Sequence, residues 1–168
     1  MPTIQKIVPC LWFDDQAEEA ATFYVSVFER SRITRVSSYA EEGSEVHGRK
    51  PGSVMTVAFE LEDQLFTALN GGPHFKFNEA VSLQVMCNTQ SEIDRYWEEL
   101  SAGGEEGARR CGWLKDRFGL SWQIVPTVLI DLIGDGDPVK AGRVIKAMLQ
   151  MTKPDIAKLK EAFSGSRA

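Results

Sequence analysis

Two segments of the chain repeat one order of apolar and polar positions. In each, a short apolar run precedes a stretch whose apolar residues recur every three or four positions, and strand-like runs follow. The helical stretches are FDDQAEEAATFY, which begins at Phe13, and CNTQSEIDRYW, which begins at Cys87. Apolar side chains at this spacing form one face of a helix that packs against a sheet. The repetition predicts two copies of one structural unit.

Both predicted helices begin with the spacing of a capping box. In the first, Asp15 stands three positions before Glu18. In the second, Thr89 stands three positions before Glu92. In a capping box the first side chain accepts a hydrogen bond from the backbone N–H three residues on, and the glutamate accepts one in return. We therefore expect a helix to start at both places.

Strand-like runs follow each predicted helix. They are RITRVSSY, GSVMTVAFEL and QLFTALN in the first half, and EGARRCGWLKD and GLSWQIV in the second. The segment Gly71–Ala80 has two glycines and a proline, which predicts a linker. We expect an α+β fold in which residues 1–72 and 79–127 form two β-α-β-β-β modules of one domain that spans residues 1–168.

A helical extension is expected at residues 137–164. Asp137 precedes Pro138, which is the order of an N-cap and a first helical residue. Pro154 and Asp155 then precede a second short helix. The first of these helices carries an apolar stripe, which needs a surface in the domain or on a twin subunit, so we expect a homodimer. The stripe consists of Val144, Ile145, Met148 and Leu149.

Composition narrows the class of protein. The chain has 168 residues, 43% of them hydrophobic, a formal net charge of -5 and a pI of about 5.1. This acidity argues against nucleic-acid binding, which needs a basic face, and no apolar run is long enough to cross a membrane. The first residues lack the features of a signal peptide. Cys10, Cys87 and Cys111 form no CxxC pair, so we expect reduced thiols and a cytoplasmic protein.

Three long strings carry a resemblance to a known family: PCLWFDDQAEEAATFY, ALNGGPHFKFNEAVSLQV and CGWLKDRFGLSWQIVP. They resemble the PhnB-like family, also described as the 3-demethylubiquinone-9 3-methyltransferase domain family, of the vicinal oxygen chelate superfamily. The resemblance implies the glyoxalase/bleomycin-resistance/dioxygenase-like fold. In that fold two modules pair their sheets around a U-shaped cavity that holds the ligand, and the chains commonly dimerise.

The same resemblance implies four strand positions at which superfamily members that use metal carry His, Gln or Glu. Within about one residue, they match Val8, Ala68, Ser82 and Gln123. Carbon side chains offer no lone pair and a serine hydroxyl is a weak neutral donor, whereas a divalent ion needs several strong ligands together. We expect neither a metal nor an organic cofactor.

Strand alternation within the implied fold indicates a ligand-binding surface. Aromatic walls with a few amides suit a flat or amphipathic small organic ligand. Alternatively, Gln84 and Gln123 only bond to each other across the module interface. The residues assigned to the cavity are Cys10, Trp12, Phe66, Asn70, Ser82, Gln84, Met86 and Gln123.

Three functions are open at this point. The first is metal-free binding of a small organic molecule. The second is an enzyme: a methyltransferase, as the family description implies, or an isomerase or lyase that acts through Cys10 or Gln123. The third is a structural dimer with a vestigial cavity.

No catalytic residue is assigned. The glycine-rich string LNGGP is followed by a strand-like segment and not by the helix that a methyl-donor site needs. An inert buried thiol is the favoured interpretation of Cys10. The polar loop Ala40–Gly52 is either a lid or a solvated connector.

Overall fold

The computed structural model describes residues 5–165, and the chain divides into two compact units between Phe77 and Asn78. The first unit has a four-stranded sheet of order β1-β4-β3-β2, in which β1 is parallel to β4 and the other pairs are antiparallel. Its elements are β1 (Cys10–Phe13), α1 (Ala17–Val27), β2 (Arg32–Ser38), the one-turn helix α2 (Ser44–His47), β3 (Val54–Leu61) and β4 (Gln64–Asn70).

The core of the first unit lies between α1 and one face of this sheet. Buried and partly exposed residues alternate along β3 and β4, as expected for strands with one covered face. Tyr24 of α1 stacks on Phe59 with ring centroids 6.2 Å apart, and Phe59 stacks on Phe66 at 5.4 Å. These aromatic contacts fix which face of the sheet the helix covers.

The second unit has a three-stranded sheet of order β5-β7-β6, with β5 parallel and β6 antiparallel to β7. Helix α3 buries Ile93, Tyr96 and Leu100, as expected for the apolar face of the second predicted helix. The elements are β5 (Leu83–Cys87), α3 (Gln90–Ser101), β6 (Trp113–Lys115), β7 (Ser121–Pro126), α4 (Thr127–Gly134), α5 (Pro138–Leu149) and α6 (Ile156–Ser164). No helix within residues 5–165 is long and apolar enough to span a membrane.

One predicted capping box forms and the other does not. The Thr89 hydroxyl accepts a hydrogen bond from the N–H of Glu92 at 3.2 Å, and the Glu92 carboxylate accepts from the Thr89 N–H at 3.1 Å. The prediction at Asp15 is wrong, because α1 begins after Gln16 and has no side-chain bond at its N-cap. Asp137 and Asp155 cap α5 and α6 as the sequence predicts.

Two segments differ from the predicted elements. The run EGARRCGWLKD is predicted to be a strand, but it begins with a 3-10 turn at Glu106–Ala108, and only Trp113–Lys115 form a strand. Cys111 and Gly112 have φ values of 52° and 84°, which belong to the left-handed region and end any extended run there. Helix α4 was not predicted, because its sequence TVLIDLIG lacks the polar face that makes helical periodicity visible.

Replacing the cap of α3 should weaken the fold. We expect Thr89→Ala to lower the free energy of unfolding by about 1 kcal/mol, since it leaves a helix N–H without its acceptor. Asp15→Ala is the matched control and should change it by less than about 0.5 kcal/mol. Urea denaturation followed by circular dichroism measures both, and equal losses in the two variants would contradict the difference between the two helix starts.

Candidate functional site

A buried carboxylate organises the turn between β6 and β7. Asp116 is only 2% exposed. Its Oδ1 accepts hydrogen bonds from the N–H groups of Phe118 and Leu120 at 2.8 and 3.1 Å, and its Oδ2 accepts one from the indole Nε1 of Trp122 at 2.8 Å. The turn is therefore tied to the strand that follows it, with the Trp122 ring held on the buried face.

Fixing Trp122 determines the face that Gln123 occupies. Because side chains alternate along a strand, Gln123 lies on the opposite, open face of the sheet. The strand register places Gln84 of β5 on one side of it and Trp113 of β6 on the other. The amide therefore belongs to a surface and not to the core beneath α3.

The Gln123 amide is hydrogen-bonded within the second unit. Its Nε2 donates to the Ser82 hydroxyl at 2.7 Å, and its Oε1 accepts from Gln84 Nε2 at 3.5 Å. These are partners that the sequence predicts. The alternative of a Gln84–Gln123 bond across the module interface is wrong in its location, since both residues belong to the second unit.

A groove of about 660 Å³ lies along this open face. One side is formed by β5, β6 and β7, including Gln84, Trp113 and Gln123, and the other side by the C-terminal segment. Sequence reasoning missed the second side because it assigned the stripe residues Met148 and Leu149 to packing on the domain or on a twin subunit and not to a ligand site. The C-terminal residues that line it are Leu129, Met148, Leu149, Met151, Pro154 and Leu159.

The C-terminal segment is held against the sheet by its backbone. The N–H groups of Cys111 and Gly112 donate to the carbonyls of Met151 and Thr152, both at 2.9 Å. A Cβ on Gly112 would lie 2.7 Å from the carbonyl oxygen of Ile124, so only glycine allows this approach. The wall of the groove is thus attached to the segment before β6, and the Gly112 carbonyl of that segment accepts a hydrogen bond from Ile124 of β7 at 2.8 Å.

An ion pair lies at one end of the groove. The Lys115 ammonium is 2.5 Å from the Glu79 carboxylate and 3.5 Å from that of Glu105. The hydrogen bond from Lys115 lowers the pKa of Glu79, and the same bond raises the pKa of Lys115. Both groups are therefore charged at neutral pH, and Lys115 adds no unbalanced positive charge to the groove.

The residues predicted in the first unit do not share one face. Cys10 pairs with Thr67 and Trp12 with Leu69, which places them opposite to Phe66 and Asn70. Our assignment of all four predicted residues to a single cavity wall is therefore corrected. Both faces of β4 are apolar, so the sequence does not distinguish the side that α1 covers.

Asn70 has a structural role in the first unit. Its Oδ1 accepts a hydrogen bond from the Ala17 N–H at 2.8 Å, and its Nδ2 donates to the Val54 carbonyl at 3.0 Å. It thus supplies the acceptor at the start of α1 that Asp15 was expected to supply. Because Asn70 is only 5% exposed, these two bonds account for a polar side chain in the core.

Trp12 explains the first glycine in LNGGP. Its indole Nε1 donates to the Gly72 carbonyl at 2.9 Å, and its ring packs edge-on against Phe75 at 4.9 Å. A Cβ on Gly71 would lie 2.1 Å from the indole ring, so this position needs glycine for packing. No helix follows the pair before Leu83, as the sequence predicts.

The cysteine and methionine of the predicted set are solvent-accessible. The expectation that the Cys10 thiol is buried is wrong, because the residue is exposed, yet partial desolvation raises the pKa of its thiol. A raised pKa keeps the thiol protonated at neutral pH, the opposite of what a nucleophile requires. Met86 is 43% exposed on the same strand as Gln84.

The four positions matched to metal ligands do not fit a metal ion by their chemistry. Ala68 is fully buried among apolar residues and Val8 carries only carbon atoms in its side chain. Ser82 is bonded to Gln123. Within residues 5–165, no group of three His, Cys, Asp or Glu side chains could hold a metal ion.

Comparison with known proteins identifies the family of this chain. The family model described as 3-demethylubiquinone-9 3-methyltransferase matches residues 5–125. The chain belongs to this family. It is the PhnB-like family of the vicinal oxygen chelate superfamily, and the α+β fold with two sheets agrees with that membership.

Two solved structures illustrate the likeness. The PhnB protein from Bacillus cereus is 35% identical with a TM-score of 0.62, over 73% of this chain and 100% of that one. Protein PA1353 from Pseudomonas aeruginosa is 17% identical with a TM-score of 0.55, over 73% of this chain and 98% of that one, and shows the fold alone. A search of curated proteins finds no match.

In this PhnB-like protein the groove extends beyond the part that the family model matches. The matched region ends at residue 125, within β7, whereas α4, α5 and α6 follow it. The sheet side of the groove therefore lies largely within the matched region, and its helical wall lies outside it.

Removing the Asp116 carboxylate should disrupt the hairpin. We expect Asp116→Ala to lower the free energy of unfolding by about 3 kcal/mol or more, because three donors lose a charged acceptor. Asp15→Ala, at an exposed position before α1, is the matched control and should have little effect. Urea denaturation gives the stabilities, and a loss of less than about 1 kcal/mol in Asp116→Ala would contradict the organising role.

Proposed function

We propose that this protein binds a small organic molecule, without metal, in the groove along the open face of the second sheet. The observation that carries the proposal is the groove itself, whose volume of about 660 Å³ is that of a small-molecule site. Its walls are largely apolar and the amides of Gln84 and Gln123 lie on its floor. Such a lining favours a flat or amphipathic ligand.

The chemistry of the chain supports binding more than methyl transfer or nucleophilic catalysis. Gly71 of LNGGP accommodates the Trp12 indole, and the Cys10 thiol has a raised pKa. The pair of amides can donate and accept hydrogen bonds but provides no charge to activate a substrate. We therefore assign Gln123 a role in binding and no role in catalysis.

Gln123→Ala tests the site. The variant should retain less of whatever small molecule co-purifies with the protein, because an amide that orients the ligand is lost. We expect binding to weaken by roughly tenfold. This is the effect of losing one hydrogen bond between uncharged groups and leaving the ligand's group unpaired. Mass spectrometry of molecules released on denaturation measures retention, and calorimetry with the identified molecule measures affinity.

Gln64→Ala is the control for this variant, since Gln64 is an exposed strand amide outside the groove. Elemental analysis of both proteins, purified without chelator, should show no bound metal. Stoichiometric zinc, nickel, iron or manganese that disappears in Gln123→Ala would overturn the metal-free proposal. A protein that retains no molecule and shows no ligand-induced thermal shift would favour a structural dimer.

We also propose that the protein is a homodimer that uses the apolar surface of α4 and α5. Helix α4 has no buried residue, although its mean hydropathy is that of a core helix. Ile130 and Val139 are 57% and 66% exposed, and the predicted stripe residue Ile145 is 38% exposed. A second copy of this surface would cover apolar area, and α4 itself carries only one charged residue, Asp131.

Sedimentation velocity tests the dimer. The protein should sediment as a dimer at micromolar concentration, and Ile130→Lys should shift it toward monomer because it places a charge in the apolar contact. Val46→Lys is the control, since Val46 is 85% exposed in the first unit. A monomer for the unaltered protein, or an unchanged dimer for Ile130→Lys, would contradict this surface.

The proposed location is the cytoplasm. All three cysteines are free, and Cys87 is buried with its thiol pKa raised to about 12, chiefly by desolvation. Such thiols persist in a reducing compartment.

A further inference from the structure

Ser121 of β7 lines the groove, and its buried hydroxyl has no hydrogen-bond partner among the described residues. The residue is only 1% exposed. A buried hydroxyl without a partner costs about 1–3 kcal/mol, so a purely structural position would favour alanine. The hydroxyl is therefore a candidate for contact with a ligand.

The position of Ser121 supports this. It lines the groove, precedes Gln123 by two residues on the same face of β7, and pairs with Lys115 of β6 in the strand register. Two of the donors of the Lys115 ammonium are directed at Glu79 and Glu105. An ammonium has three donors, so Lys115 keeps one beyond these two ion pairs, and the Ser121 hydroxyl can also donate.

We propose that Ser121 and Lys115 together bind a carbonyl oxygen of a neutral, amphipathic ligand. This inference rests on the proposed function, because it assigns a ligand class to the same groove. The ligand's carbonyl accepts hydrogen bonds from the Ser121 hydroxyl and the Lys115 ammonium. Its apolar body lies along Trp113, Met148 and Leu149, which line the rest of the groove.

The charges at this end of the groove select a neutral carbonyl over a carboxylate. Lys115 is paired with two carboxylates, so the cluster of three groups has a net charge of one negative unit at neutral pH. A carboxylate ligand would meet this negative charge and would have to displace Glu79 or Glu105 from the ammonium. A neutral amide, ketone or ester places its oxygen at the donors without that repulsion.

The test compares two probes of the same shape, octanamide and octanoate, by calorimetry with the unaltered protein, Ser121→Ala and Ser38→Ala. Ser38 is an exposed strand serine in the first unit and serves as the control. We expect octanamide to bind more tightly than octanoate. We expect Ser121→Ala to weaken octanamide binding by roughly fivefold, the effect of one hydrogen bond, and Ser38→Ala to leave it unchanged.

Stability without a probe separates recognition from a structural role. Ser121→Ala removes an unpaired buried hydroxyl, so its melting temperature should equal or exceed that of the unaltered protein. A lower melting temperature would indicate a structural role and overturn the inference.

The remaining outcomes distinguish this inference from the proposed function. Equal octanamide affinity in the unaltered protein and Ser121→Ala overturns the role of Ser121 and leaves groove binding intact. Tighter binding of octanoate overturns the neutral ligand class. If neither probe binds the unaltered protein, the inference is overturned, and the molecules retained on purification then decide the proposed function separately.

Discussion

The Asp116 carboxylate is the constraint on which the second unit's open face depends. It accepts two backbone N–H groups of the turn and the indole N–H of Trp122, so one buried charge fixes both the hairpin and the orientation of β7. A shift of one residue along β7 would move Trp122 to the groove and Gln123 to the core. It would also leave the carboxylate without its indole donor. The position of the amide thus follows from the position of the carboxylate.

A second constraint positions the C-terminal segment that forms the other side of the groove. Left-handed backbone at Cys111 and Gly112 turns their N–H groups toward the carbonyls of Met151 and Thr152. These bonds do not depend on side chains in the C-terminal helices. The helices can therefore present Met148 and Leu149 to the groove while other apolar residues of α4 and α5 stay exposed.

Sequence reasoning succeeded where the needs of one residue determine its neighbours. It failed where the two faces of a strand are similarly apolar. The helix stripes, the Thr89 cap and the Gln123 partners follow from local spacing or from the needs of a buried amide. Asn70 was misassigned because Leu65, Thr67 and Leu69 make the second face of β4 nearly as apolar as the face that carries it. Its role as the acceptor for the start of α1 depends on a contact across 53 positions, which no local pattern reports.

The hydrogen bonds on the groove floor differ in strength, and this bears on how a ligand would enter. Gln123 bonds to Ser82 at 2.7 Å, which holds its Nε2 in place, whereas Gln84 reaches its Oε1 only at 3.5 Å. The carbonyl end of the amide is therefore weakly engaged and can accept a better donor at small cost. Ser121, two residues earlier, has a hydroxyl with no partner to lose. A ligand that bonds to both would gain interactions without breaking a strong one, because the floor is held rigid by bonds that the ligand does not replace.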